Sequence, residues 1–178
     1  MICITLEADY GLGPLRDVED VVRAGIHKLF ERNKTESWFD GLWMNEYGEV
    51  LVGSLFVACQ AYCVGCVADI NKIREALGLE ALGKIDAYRS HSSSNNKFSA
   101  IELINAAANC FKHRDEWGET WPNNLTGQTL EAYSVTSGSE FPLNEVHQII
   151  ESKLGYTNLC DLVSEWREEL IDKSKSES

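Results

Sequence analysis

Asn105, Asn109, His113 and Trp117 recur every four residues, a spacing that lines them along one side of a helix. Lys112 and Glu116 flank that side. Together they offer the parts of a general acid–base site: an imidazole to hold or give a proton, a cation for developing negative charge, and amides to orient a substrate. A helical nuclease or nucleotide-processing enzyme would use Asn109, Lys112, His113 and Glu116 in this way. The same residues also suit a structural task. Asparagines tie neighbouring helices together, and Lys112, His113 and Arg114 are well placed in a last helical turn, where the dipole favours positive charge. Neither an activated nucleophile nor a second histidine stands beside His113 in the sequence. P-loop, GxSxG, HExxH and dinucleotide fingerprints are absent. No catalytic residue is therefore assigned.

Cys59, Cys63 and Cys66 form the second candidate. "CVGC" has the spacing of a redox or zinc pair. A metal would need a fourth ligand, and a redox pair normally sits where a strand meets a helix N-terminus. Here the cysteines lie within an apolar helical stretch, so packing as small hydrophobes is the favoured reading, with no metal or cofactor expected.

The charge map points to a surface. The chain carries a formal net charge of −12, with a pI of about 4.7. From Asp115 to Ser152 there is no Lys or Arg, but there are seven acids: Asp115, Glu116, Glu119, Glu131, Glu140, Glu145 and Glu151. A second run without Lys or Arg, Thr35 to Asn71, holds Glu36, Asp40, Glu46, Glu49 and Asp69. Grouped negative charge disfavours direct nucleic-acid binding and suits a basic protein partner. Trp117 and Trp121 stand in the first run, and tryptophan is enriched among interface anchors. Asp115, Glu116, Trp117, Glu119, Trp121, Glu131 and Glu140 are the expected contact residues.

These residues need a scaffold. The chain has 178 residues, 44% of them hydrophobic, enough for one domain with a real core. Apolar residues recur mostly at helical spacing. Asp17–Arg32 predicts an amphipathic helix with Val18, Val22, Ile26 and Leu29 inward. A loop with aromatics, "NKTESWFDGLW", follows. Val52, Phe56, Cys59, Cys63, Cys66, Ile70, Ile73 and Leu77 step by four and three, predicting a long helix from about Glu49. Its small middle residues invite close approach by another helix, with Ala106, Ala107 and Ala108 as the facing surface. Residues 50–68 are nearly long enough to span a membrane. However, Gln60, two glycines and the flanking acids Glu49 and Asp69 favour a buried bundle helix, without membrane contact.

Further along, Gly78 and Gly83 bracket a short turn or helix, and the polar stretch "RSHSSSNNK", Arg89–Lys97, predicts a mobile loop. Ser99 with Glu102 predicts a capping box for a helix running to Trp117 and stopped by Gly118. Shorter helices are expected over Gly127–Ser134 and from Pro142 to Leu154. The last, Asn158–Lys173, turns Leu159, Leu162, Val163, Trp166 and Leu170 inward. "ICITL", residues 2–6, suits a short strand or extended arm. The sum is a single all-α domain, residues 1–172, of about six helices around a buried helix near 50–77. Residues 173–178 form an expected disordered tail. The first residues have no basic n-region or long apolar h-region, so a cytoplasmic protein with reduced cysteines is expected.

The segment "INAAANCFKHRDEW" resembles one found in uncharacterised small bacterial helical proteins, with echoes in "EWREEL" near the end. In size, acidity and helical character the chain is also similar to immunity proteins of bacterial toxin systems, including those of contact-dependent growth inhibition. That resemblance implies a non-enzymatic antitoxin that covers the active site of a basic toxin, such as a nuclease, with acidic surface. The HEPN ribonucleases, also small and helical, carry an Arg followed after four to six residues by His. None of the seven arginines here meets that spacing; Arg23 and His27, with three residues between them, come closest. A HEPN-like helical ribonuclease remains the alternative expectation.

Overall fold

The computed structural model describes residues 8–91 and 97–177. The expected arm at 2–6 and most of the polar loop, residues 92–96, lie outside the described residues. Within them the chain is all-α. Seven helices follow one another: α1 (Leu12–Thr35), α2 (Gly41–Ala76), α3 (Lys84–Arg89), α4 (Ala100–His113), α5 (Leu125–Ala132), α6 (Pro142–Leu154) and α7 (Leu159–Glu177). A 3-10 turn, Arg114–Glu116, extends α4.

Helix α2 is the axis of the bundle. Its 36 residues give a length of about 54 Å. It packs against α1, α3, α4, α6 and α7. The stripe Val52, Phe56, Cys59, Cys63, Cys66, Ile70 and Ile73 is buried, and Leu77 lies half-buried at the C-cap. The helix starts eight residues before the expected Glu49. Asp40 caps it, its side chain accepting from the Leu42 and Trp43 N–H groups at 2.9 and 3.2 Å. By length and composition alone α2 would suffice to cross a membrane.

Gly53 explains how close α4 comes. A Cβ built there would stand 2.2 Å from the Phe111 ring. Ala106, Ala107 and Ala108 are all buried in the same core. The Ser99–Glu102 capping box forms with both of its hydrogen bonds, 3.0 and 2.9 Å.

Three further expectations need correction. The inward face of α1 is Leu15, Glu19, Val22, Ile26 and Leu29, a stripe stepping by four and three, while Val18 is exposed, because the buried carboxylate of Glu19 takes the inward place to bond the start of α7. Helix α4 ends at His113, not Trp117; the backbone tightens into the 3-10 turn and is extended at Trp117. The end of the chain is also different. Helix α7 continues to Glu177, which pairs with Arg74 of α2 at 2.8 Å, and Ser174 is buried beneath it. The expected disordered tail is thus helical from Lys173 to Glu177, and Ser178 lies outside the described residues. Gly155, with φ of +80°, closes α6 in the left-handed region that glycine enters without a Cβ penalty.

Candidate protein-binding surface

The polar stripe on α4 faces Gln60 of α2. The Gln60 amide donates to the Asn105 and Asn109 side-chain oxygens at 2.9 and 3.0 Å, and its own oxygen accepts from Lys112 Nζ at 2.8 Å. Asn109 then donates to Thr126 Oγ1 of α5 at 3.3 Å. One glutamine therefore gathers Asn105, Asn109 and Lys112 into a ladder that Asn109 extends to a third helix. His113, at the exposed end, lies 3.3 Å from Glu116. Trp117 leaves the stripe with the backbone.

Cys59, Cys63 and Cys66 are buried with free thiols. Burial pushes Cys59 and Cys63 well above the usual thiol range and Cys66 up to about 12. A thiol so held stays protonated near neutrality and is a poor nucleophile or ligand. Among the described residues no group of three or more His, Cys, Asp or Glu is arranged to hold a metal ion.

The acids expected at the contact surface reach solvent. Asp115, Glu116, Glu119, Glu131 and Glu140 are all exposed. The tryptophans expected as anchors are not. Trp117 and Trp121 are half-buried, pack edge to face with centroids 5.7 Å apart, and lean on the core. The Trp121 indole donates to the Val135 carbonyl at 3.0 Å, so this ring fastens the chain after α5.

Exposed aromatic surface lies elsewhere. Trp38 is 59% exposed, Trp43 43% and Tyr47 45%, with Leu42 and Val50 exposed beside them on α2. The rings form a chain: Trp38 to Trp43 and Trp43 to Tyr47, each with centroids 6.3 Å apart. Arg32 lies against Trp38 and Tyr47 at the two ends of this chain. Its guanidinium lies 4.2 Å from the buried Phe39 ring, 5.3 Å from Trp38 and 5.8 Å from Tyr47, and Glu36 fixes its other side at 3.0 Å. A rigid aromatic patch of this kind presents large contact area at low ordering cost. Its sequence signal was present: an Asp40 cap puts Trp43, Tyr47 and Val50 on one helix face at steps of four and three.

The patch runs into acidic ground. Tyr47 and Val50 line a cavity of about 610 Å³ together with Glu46, Arg114, Glu140 and Phe141. Glu119 and Glu131 do not line it. Glu49, at its inner wall, has another duty. Its carboxylate accepts from the Leu143 and Asn144 N–H groups at 2.9 Å each and pairs with Arg114 at 3.3 Å, capping α6 from α2. Burial raises its carboxyl above the ordinary value, against the opposing pull of those two N–H groups and of Arg114. Glu19 of α1 does the same for α7, accepting from Leu159 and Cys160 at 2.7 and 3.1 Å.

A second cavity, about 440 Å³, opens between α1, α2 and α6. Apolar Val22, Ile26, Met44, Val52 and Leu55 and polar Arg23, His27, Asn144, His147 and Glu151 line it, among others. No protein-family model matches the sequence, and neither curated proteins nor solved structures yield a match.

Proposed function

We propose that the chain is a non-enzymatic binding protein that sequesters a basic protein partner, in the manner of a bacterial immunity or antitoxin protein covering the cationic active site of a toxin such as a nuclease. The observation that carries this reading is the exposed row Trp43, Tyr47 and Val50, of which Tyr47 and Val50 line one concave surface together with the acids Glu46 and Glu140. Contiguous exposed aromatic surface is uncommon on a protein without a partner, and aromatic anchors rimmed by charge are the usual make-up of an interface centre. The acids steer a basic partner in, and the rings hold it. The polar stripe on α4, whose groups satisfy one another, lends itself to holding helices together rather than to turnover.

The test uses the product of any toxin reading frame adjacent to this chain's gene. Nanomolar binding is expected, with association that slows as salt rises. Glu46→Lys with Glu140→Lys should slow association about tenfold at low salt, and Trp43→Ala should chiefly speed dissociation. If both variants bind like the parent, this surface is the wrong one.

A further inference from the structure

The cavity between α1, α2 and α6 differs in kind from the acidic one. Its floor is apolar, built from Val22, Ile26, Met44, Val52 and Leu55. Arg23 and His27, four apart on α1, and His147, across the cleft on α6, bring a guanidinium and two imidazoles to the same walls. Of the two lining acids, Glu19 is engaged through both oxygens with the α7 N-terminus, and Glu151 stands 3.7 Å from the His147 ring. The Arg23 guanidinium is not tied up in an ion pair among the described residues. A protein of net charge −12 thus keeps an uncommitted cation at the edge of a cleft of ligand-binding size.

We propose that this cleft binds a small organic anion: an apolar body seated on Val22, Ile26, Val52 and Leu55, and a carboxylate or phosphate monoester held by Arg23 with His27 and His147 as hydrogen-bonding partners. Arginine suits this task because its planar fork meets either oxyanion through two parallel hydrogen bonds. The site is separate from the Trp43–Glu140 surface and does not depend on the reading proposed for it. Asn144 closes one end of the cleft, held by its bond to the Asn45 carbonyl at 3.0 Å, so that the wall is preformed.

The experiment titrates the purified chain with 4-phenylbutyrate, phenyl phosphate and the neutral 4-phenylbutanol, following the His27 and His147 ring protons by NMR. Both anions should shift both rings, or one should do so and thereby identify the preferred head group. Arg23→Gln should weaken anion binding about tenfold and leave the alcohol unaffected. Arg23 is exposed, so the variant should melt like the parent; His27→Gln, also exposed, gives an independent second loss. Three outcomes overturn the proposal: no shift at either ring with either anion, equal anion affinity in Arg23→Gln, or binding of the alcohol as tight as that of the acids.

Discussion

Glu19 and Glu49 show what a single buried side chain does here. Each carboxylate supplies the acceptors that the first N–H groups of a distant helix lack. Glu19→Ala should lower unfolding stability by about 1–3 kcal/mol in urea titrations, since it leaves two buried N–H groups without partners. Glu131→Ala, at an exposed position, should stay within about 0.5 kcal/mol of the parent. The pH dependence at this scale has two opposing parts. Burial lowers the His147 pKa below 6.5, with Glu151 and Glu19 pulling it back up and Arg23 adding to the fall. The folded state then binds fewer protons at this ring than the unfolded state. The stability it contributes is whole above about pH 6.5 and is lost as pH falls through the lowered value. Glu49 acts in the other sense. Its raised pKa means that the folded state keeps the proton longer, so stability declines as pH rises from 4.5 through the raised value. Thermal melts from pH 4 to 8 should show His147→Gln removing the first dependence and Glu49→Gln the second.

At the scale of the element, packing around α2 decides the outcome. Gly53→Ala forces the Phe111 ring aside and should cost about 1–3 kcal/mol, with part of the loss recovered in a Gly53→Ala, Phe111→Leu double variant. Gln60→Ala removes the hub of the ladder to Asn105, Asn109 and Lys112 and should cost about 1–2 kcal/mol in the same assay. These elements also show what could be read from residue order. The Ser99–Glu102 cap was legible because both partners lie within four residues. The α2 stripe was legible because its period is local. The early start of α2 was missed because Asp40 stands among aromatics and a glycine that resemble a loop. The helical end of α7 was missed because Arg74, which pairs with Glu177, is 103 residues away. The candidate surface was half legible: clustered acids are a property of sequence. Burial of Trp117 and Trp121, and exposure of Trp43 and Tyr47, depend on what packs over them.

For the whole molecule, net charge of −12 is a uniform pressure against compaction. Raising ionic strength from about 0.01 to 0.15 M shortens the Debye length from about 30 to 8 Å, and the urea midpoint should rise with it. The same screening should weaken association with a basic partner, so salt is expected to move stability and binding in opposite directions. Calorimetric melting and partner titration in the same buffer series would show this divergence.

The helix caps formed by the acceptors Glu19 and Glu49 have a consequence for the order in which the chain becomes structured. Leu159, the first residue of α7, lies 140 positions after its acceptor, and Leu143 of α6 lies 94 after its own. In both helices the first N–H groups take their acceptor from a distant element rather than from a neighbouring residue. During synthesis the acceptors leave the ribosome long before the turns that need them, and wait. The amides of α6 and α7 should therefore gain protection from hydrogen exchange only together with α1 and α2, as a single cooperative unit spanning both ends of the sequence.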